Sequence, residues 1–284
     1  MKIILSRKGF DSASGGCPSP ILPDGRLVVL PIPDPLSSIR YSDISLSGIE
    51  AGTLVTELTN GRLGGADTAH LDPDITPESL ERERGWRPIF GQRGAAQGHL
   101  RNHRVGPGDL FLFYGLFKEA EKEGLRYRWK KSAVARHVIW GWLQVGEIFE
   151  VAPGLAEKFA WMSYHPHFTH AEEKNNVIYV STRLARIPGC EAGPGSGVFS
   201  RINSSLVLSS ACGQNGACSW ELPGWCYPRR GVYPLSYHQK MERWQRRGAN
   251  TLLSSVPRGQ EFVLDADHFP EAIGWVSSLL KLRG

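Results

Sequence analysis

Glycine and proline interrupt this chain so often that few of its segments could form a long helix. The sequence has 32 glycines and 19 prolines among 284 residues, and both residue types favour turns over helix interiors. Between them lie apolar runs with the continuous hydrophobic character of buried strands, at residues 110–115, 137–148 and 176–181. The pattern predicts an α+β fold with a mixed or antiparallel sheet core.

The other predicted elements are short. They are a strand at 1–5, a short helix near 47–58, a helix that starts at Thr76 and ends near Gly85, a strand at 259–264 and an amphipathic helix at 269–282. We expect a single domain over residues 1–284. The alternative is a division into a polar-motif region at 1–104 and a barrel-like region at 105–284.

One stretch resembles the small PUA-like barrels, which include the EVE and ASCH types. A Gly-Asp turn, an apolar strand, a charged excursion at 118–132 and an aromatic strand containing Gly-x-Leu-x-Val follow one another. This resemblance implies a PUA/EVE-like β-barrel portion that binds bases. In a barrel of this kind, Trp140 and Trp142 would stack on a modified base.

A polar loop follows the first strand directly. Arg7 and Lys8 are followed by Phe10, Asp11 and Ser14 among several glycines. Guanidinium, ammonium and hydroxyl groups beside glycine-rich backbone suit phosphate or another oxyanion, and Asp11 adds an acid, a base or a metal ligand. The alternative is a surface turn whose charges are only solvated.

Two carboxylates stand two residues apart at Asp72-Pro73-Asp74, preceded by His70. On an extended segment, residues i and i+2 point the same way, so the pair could share a divalent cation or divide acid and base roles. The alternative is that both acids cap the helix predicted to start at Thr76.

Two histidine groups could also carry chemistry. His99 and His103 would face one way on a helix, and the amides of Gln92 and Gln97 nearby could read a base edge. His165, His167 and His170 form the densest group, but Pro166 and the lack of a nearby acidic or cysteine ligand weaken a zinc assignment. Proton transfer or phosphate contact is the alternative for that group. No metal ligand set is assigned, and a divalent cation remains one candidate cofactor.

The net charge of +5 permits contact with nucleic acid. Basic residues are interleaved with aromatic ones in several stretches, and Arg128, Lys130 and Lys131 are the predicted contacts to a nucleic-acid backbone. Alternatively, the aromatic residues belong to the core and the arginines coat the outside. Salt-dependent binding to a polymer would separate the two.

Several classes of protein are disfavoured. No P-loop, dinucleotide fingerprint or Ser-His-Asp signature occurs, which argues against ATP hydrolysis and redox catalysis. No apolar run reaches the length of a membrane span, and no secretory leader precedes the first strand, so we expect a cytoplasmic protein. The five cysteines show no C-x-x-C spacing, which predicts reduced thiols and no cysteine zinc site; they are Cys17, Cys190, Cys212, Cys218 and Cys226.

Four segments together resemble the third of the families called nucleotide-modification-associated domains. They are Ser6–Asp11, Gly15–Pro20, His70–Asp74 and Gly91–Leu100. The family is associated with bacterial and phage systems that modify bases in DNA or RNA, so the resemblance implies that context and not a defined reaction. The polar positions that it implies are Arg7, Lys8, Phe10, Asp11, Asp72, Asp74 and His99.

The leading hypothesis is an enzyme that acts on a nucleotide or nucleobase, by transfer of a group or a glycosyl unit. Arg7 and Lys8 would bind phosphate, Asp11 and Asp72 would act as acid, base or metal ligands, and His99 would orient the substrate. The competing hypothesis is a non-catalytic reader of modified bases. The expected partners are a nucleotide or nucleic acid and other enzymes of a modification system.

Overall fold

The computed structural model describes residues 1–211, 216–257 and 261–282. Its four helices are α1 (Ala51–Leu58), α2 (Gly94–Asn102), α3 (Leu155–Lys158) and α4 (Glu271–Leu280). Its strands are β1 (Lys2–Arg7), β2 (Ser19–Ile21), β3 (Ile32–Pro33), β4 (Ser45–Leu46), β5 (Ile49–Glu50), β6 (Ala69–His70), β7 (Ile89–Gln92), β8 (Leu110–Glu123), β9 (Arg126–Trp129), β10 (Arg136–Glu150), β11 (Val177–Ser181), β12 (Ser196–Val198), β13 (Ser219–Pro223), β14 (Trp244–Arg247), β15 (Asn250–Ser254) and β16 (Glu261–Asp265).

A mixed sheet of nine strands forms the centre of the molecule. Its main path runs β16-β1-β8-β10-β11-β7, with β2 and β9 paired to β8 and β12 paired to β10. The β1–β8 and β2–β8 pairs are parallel, and the other pairs in this sheet are antiparallel. The predicted α+β fold with a mixed sheet is therefore confirmed. The strands of the described residues form no closed barrel, so this sheet does not show the PUA-like portion that the sequence pattern suggested.

The largest hydrophobic core lies on the long central strands. β8 and β10 were expected to be buried because of their continuous apolar character, and Phe111, Phe113 and Trp142 are almost fully buried. A second core cluster joins Phe10 and Tyr41 to α1. Since β1 lies between β8 and β16, residues on both sides of position 104 contribute to one sheet. A single domain over residues 1–284 stays a prediction.

The predicted helix from Thr76 to Gly85 does not form. Only a 3-10 turn at Pro77–Ser79 is present, and Thr76 makes no side-chain cap. The reason is Arg82, whose guanidinium donates hydrogen bonds to the carbonyl oxygens of Thr76 and Pro77. Those carbonyls would otherwise accept the backbone bonds of a continuing helix.

The helix expected near 47–58 starts later, at Ala51. A hairpin of β4 and β5 takes the preceding residues, with Ser47 and Gly48 at positive φ in its turn. The predicted C-terminal strand is β16, and Gly259 and Gln260 of that prediction lie outside the described residues. Within the described ranges, no helix is both long and apolar enough to cross a membrane.

Candidate functional site

Two distant polar segments meet in one cleft. The cleft has a volume of about 460 Å³ and is lined by residues of the loop after β1, the segment after β6 and the β7–α2 junction. Six of the predicted catalytic or substrate-binding residues line it: Arg7, Lys8, Asp11, Ser14, Asp72 and Gln92. The fold therefore brings together the two segments that carried the strongest sequence signals.

One wall of the cleft is organised by a buried glutamate. β1 pairs with β16 so that Ser6 lies opposite Glu261, and Glu261 Oε1 accepts hydrogen bonds from Ser6 Oγ at 3.0 Å, Lys8 Nζ at 3.1 Å and Gln92 Nε2 at 2.6 Å. The side chain of Glu261 is 1% exposed. Glu261 fixes the positions of Lys8 and Gln92. Glu261 was not named in the sequence analysis, because this residue stands at the start of an apolar strand.

Asp11 shapes the loop that carries Arg7. Its Oδ1 accepts backbone N–H bonds from Ala13 and Ser14, both at 2.8 Å. Its Oδ2 lies 3.5 Å from Arg7 Nη2, while Arg7 Nη1 donates to the carbonyl of Pro257 at 3.1 Å. The loop thus holds a half-buried guanidinium at the rim of the cleft, where an anionic ligand could reach it.

The floor of the cleft is a group of buried rings around one carboxylate. Asp72 Oδ1 lies 3.3 Å from His165 Nε2, and Asp72 Oδ2 lies 3.7 Å from His70 Nε2 and 3.6 Å from His167 Nε2. We call these four residues the His–Asp cluster. Sequence reasoning named Asp72 as a site residue and considered His165 and His167 separately, but it did not join them.

Local structure explains why these side chains meet. Ile32 of β3 pairs with His70 of β6, which brings Asp34 beside the His70 ring, with Asp34 Oδ2 2.8 Å from His70 Nδ1. The backbone N–H of Gly91 on β7 donates to Asp72 Oδ1 at 2.8 Å. His165 precedes the 3-10 turn Pro166–His170, which carries His167.

The pKa values of the acids and histidines in and around the cluster depend on one another. Burial alone would lower the pKa of His70, but hydrogen bonds with Asp34 and Asp72 raise it to about 9. Burial alone would raise the pKa of Asp72, but the neighbouring imidazoles of His165, His167 and His70 hold it well below its usual range. The hydrogen bond from His70 lowers the pKa of Asp34 to about 2. Asp72 is therefore an anion surrounded by imidazoles, and its charge can attract a cation from the cleft side.

Three members of the cluster could hold a metal ion. His70, Asp72 and His167 each offer one ligand atom, and these atoms lie within 4.8 Å of one another. All three residues line the cleft. The same arrangement could move a proton between the carboxylate and an imidazole, so the site suits acid–base chemistry or metal-assisted chemistry.

Asp74 does not line the cleft that contains Asp72, although both residues border a smaller neighbouring pocket. Its side chain is fully buried, and Arg82 donates two hydrogen bonds of 2.6 Å to its two oxygens. The hydroxyl of Tyr164 donates a third at 2.5 Å. The expectation that both carboxylates face one way is not met, because Asp72 turns to the His–Asp cluster and Asp74 to Arg82. The geometry gives Asp74 a structural role.

His99 does not line the cleft. As expected for a helix, it lies against His103, with ring centroids 4.4 Å apart, and it also stacks on Tyr237 at 4.2 Å. Its Nε2 lies 2.9 Å from Ser236 Oγ. Burial and the neighbouring His103 lower its pKa to about 4. Of the four sequence-predicted catalytic residues, Asp11 and Asp72 lie together in the cleft, and Asp74 and His99 lie elsewhere.

Two predicted substrate contacts have structural partners instead. Phe10 is fully buried and packs edge-to-face on Tyr41 with centroids 6.4 Å apart. Gln97 is buried, and its Oε1 accepts a hydrogen bond from the Tyr179 hydroxyl at 2.9 Å. Neither residue lines the cleft.

The basic residues predicted to contact nucleic acid lie on the hairpin of β8 and β9 and just after it. Arg128 forms ion pairs with Glu121 and Glu123, and Lys130 pairs with Glu119. Lys131 is exposed. Cross-strand acids therefore offset part of the positive charge of this hairpin.

The indoles proposed for a base cage are buried. Trp142 is 2% exposed and Trp140 is 4% exposed, and both belong to the main core cluster. Little of either ring is therefore exposed for a base to stack on, although Trp140 borders a small pocket next to Asp72. The described cysteines are free thiols at Cys17, Cys190, Cys218 and Cys226, and Cys212 lies outside the described residues.

Gly91 allows the His167 ring to pack against β7. A Cβ at Gly91 would lie 2.3 Å from His167 Cδ2, whereas a Cβ at Gly98 in α2 would meet nothing within 4 Å. We expect Gly91→Ala to lower the free energy of unfolding by about 1–3 kcal/mol, the usual cost of overpacking. Gly98→Ala is the matched control, and it should stabilise α2 by about 0.5–1 kcal/mol.

Urea unfolding of both variants measures these changes. Equal stability of the two variants would show that the His167 ring moves without cost and that its position is not fixed by β7.

Comparison with known proteins identifies one family. The family model described as nucleotide modification associated domain 3 matches residues 2–265. No curated protein and no solved structure matches the chain. The matched range includes every residue of the cleft described above.

Proposed function

Because this chain belongs to the nucleotide modification associated domain 3 family, we propose that it is an enzyme that acts on a nucleotide or nucleobase in a modification pathway. The observation that carries the proposal is the convergence of Arg7, Lys8, Asp11 and Asp72 on one cleft. Polar groups from distant segments that meet in a concave site are typical of catalytic centres.

The cleft divides into a binding wall and a reactive floor. Arg7 at the rim would bind a phosphate of the substrate, since a guanidinium matches phosphate geometry in a bidentate manner. Lys8 is held by Glu261 at 3.1 Å and adds positive charge deeper in the same wall. Asp72 and its histidines at the floor would then face the sugar or the base.

Asp72 is the group best suited to act on the substrate. Its Oδ1 is occupied by the Gly91 N–H, while Oδ2 faces two imidazoles on the cleft side. We assign to the cluster the transfer of a proton to or from the reacting group, in a transferase or hydrolase reaction. Transfer of a group or a glycosyl unit to the base fits this assignment.

A reader of modified bases is the weaker alternative. A reader needs an aromatic surface on which a base can stack, and the two indoles considered for that role, Trp140 and Trp142, are 4% and 2% exposed. The cleft instead offers charged and titratable groups. These features favour catalysis over passive recognition.

Binding of a nucleotide tests the proposal without knowledge of the reaction. We expect Arg7→Gln to weaken the binding of nucleoside monophosphates about 10- to 100-fold, because a hydrogen bond to a charged group contributes about 1.5–3 kcal/mol. Arg128→Gln is the matched control, since Arg128 is paired with Glu121 on the exposed hairpin. Calorimetric titration of the full chain with each of the common nucleotides measures the effect.

A triple variant of the hairpin, compared with Arg7→Gln, separates a free nucleotide from a polymer. If the substrate is DNA or RNA, replacing Arg128, Lys130 and Lys131 with alanine should weaken binding to all sequences and flatten its salt dependence. If the substrate is a free nucleotide, only Arg7→Gln should matter. Failure of every nucleotide and oligonucleotide to bind at low salt would refute the proposed function.

A further inference from the structure

Two imidazoles of the cleft floor each have a hydrogen-bonding partner at Nδ1. Asn176 Nδ2 donates hydrogen bonds of 2.9 Å to the carbonyl oxygens of His167 and His170. This leaves Asn176 Oδ1 as an acceptor, and it lies 2.5 Å from His167 Nδ1. His167 therefore carries its proton on Nδ1 when neutral, and its Nε2 presents a lone pair to Asp72.

His70 is oriented in the same way by a different partner. Its Nδ1 lies 2.8 Å from Asp34 Oδ2, so a neutral His70 donates from Nδ1 and presents a lone pair at Nε2. A histidine that binds a metal ion usually donates its other N–H to a carboxylate or carbonyl oxygen in this way. Both imidazoles of the cleft floor thus have the outer partner that a metal ligand needs.

The third group is the carboxylate of Asp72. Its Oδ1 is held by the Gly91 N–H at 2.8 Å, which turns Oδ2 towards His70 Nε2 at 3.7 Å and His167 Nε2 at 3.6 Å. When both imidazoles are neutral, these three atoms are all acceptors, and a cation bound among them would relieve their mutual repulsion.

The spacing of these atoms fits a tetrahedral metal ion. Bonds of about 2.0–2.2 Å at tetrahedral angles place neighbouring ligand atoms about 3.4 Å apart. The two separations from Asp72 Oδ2, 3.6 and 3.7 Å, differ from that value by a few tenths of an ångström, and all three ligand atoms lie within 4.8 Å of one another. Two imidazoles and one carboxylate are a ligand set for divalent transition metals, since Mg²⁺ and Ca²⁺ prefer oxygen ligands.

A buried nitrogen of the His–Asp cluster lies next to the proposed ligands. His165 is fully buried, and its Nε2 makes no hydrogen bond within the described part of the chain although it lies 3.3 Å from Asp72 Oδ1. A buried polar atom without a partner is costly and is seldom retained without a function. Its position lets it hold the carboxylate oxygen that faces away from the two ligand histidines.

We propose that His70, Asp72 and His167 bind one divalent transition-metal ion, with Zn²⁺ as the best match to the ligand set and spacing. The ion would lie at the floor of the cleft with a coordination position open to it, as in zinc sites that activate water or polarise a substrate oxygen. The proposal does not depend on the enzymatic function proposed above, because metal affinity can be measured without a substrate.

Titration of the full chain with Zn²⁺ tests the site. After dialysis against a chelator, the protein should bind one equivalent of Zn²⁺ by calorimetry. We expect His167→Gln to weaken binding at least 100-fold, and Asp34→Asn to weaken it about 10- to 100-fold, since an outer partner of a ligand typically has an effect of that size. The effect of Asp34→Asn would show that the outer partner tunes the ligand.

His170→Gln is the matched control. His170 lines the same cleft, but its Nδ1 pairs with Glu173 at 3.1 Å and it is not among the three proposed ligands. This variant should keep the affinity of the unmodified protein within about twofold. Far-UV circular dichroism and a melting curve confirm that each variant is folded before titration.

Absence of Zn²⁺ binding, or equal affinities of His167→Gln and His170→Gln, would overturn the metal site. Neither result would affect the nucleotide-binding test of Arg7→Gln. Conversely, normal Zn²⁺ binding by a protein that binds no nucleotide would refute the proposed function and leave the metal site standing.

Discussion

Replacing Asp72 with asparagine is expected to lower the rate of nucleoside modification by about 10²- to 10⁴-fold, the usual contribution of a group that transfers a proton. Asparagine keeps an oxygen that can accept the Gly91 N–H bond, which is 2.8 Å long with Asp72. It removes the negative charge that faces His70 and His167. Because the low pKa of Asp72 means that its charge also stabilises the fold, the variant must be shown to be folded before its rate is compared.

Mass spectrometry of nucleosides measures this effect. Cells that carry this gene with its genomic neighbours are compared with cells that carry the Asp72→Asn variant, with protein levels checked in both. Asp267→Asn is the matched control, since the Asp267 side chain is 81% exposed and pairs only loosely with the chain's amino terminus at 3.5 Å. Full modification by Asp72→Asn would contradict the catalytic assignment.

Replacing Arg82 with methionine is expected to lower the free energy of unfolding by about 3–5 kcal/mol, the typical cost of leaving a buried charge without its partner. Asp74 has a fully buried side chain and takes two hydrogen bonds from Arg82. Arg82 also lies over the Trp86 ring, with its Cζ 4.1 Å from the ring centroid. Methionine would keep part of the packing and remove the charge.

Urea unfolding measures this change, and Arg128→Met is the matched control. Arg128 is 47% exposed and pairs with exposed glutamates, so its removal should cost about 0–1 kcal/mol. If Arg82→Met were no less stable than Arg128→Met, Asp74 would not be a structural residue. That result would instead support the catalytic role for Asp74 that its spacing from Asp72 first indicated.

The two aspartates show where local spacing misleads. The rule that residues i and i+2 share a face holds only for regular extended backbone. Asp72 and Asp74 flank Pro73 in an irregular segment, and each finds partners from a different part of the chain: Gly91 for Asp72 and Arg82 for Asp74. Those partners determine that Asp72, and not Asp74, faces the cleft.

The histidine group shows a contact that could not be predicted from local sequence. In the sequence analysis, His165, His167 and His170 were treated as poor zinc ligands because of Pro166 and a missing acidic partner, although Glu172 and Glu173 follow His170. In the structure the acid is Asp72, brought beside them when β7 pairs with β11 and the Pro166–His170 turn packs on Gly91. Long-range strand pairing brings these ligands together, and the local sequence pattern does not predict that pairing.

The sequence by itself determined the fold class, the family and the loop that carries Arg7 and Lys8. Strand periodicity, glycine and proline turns and local motifs are properties of neighbouring residues, so they can be read along the chain. The tertiary structure alone decided that Glu261 anchors Lys8 and that Asp72 joins His70 and His167. Such contacts join residues far apart in sequence, and they depend on register, burial and charge pairing that form only when the chain folds.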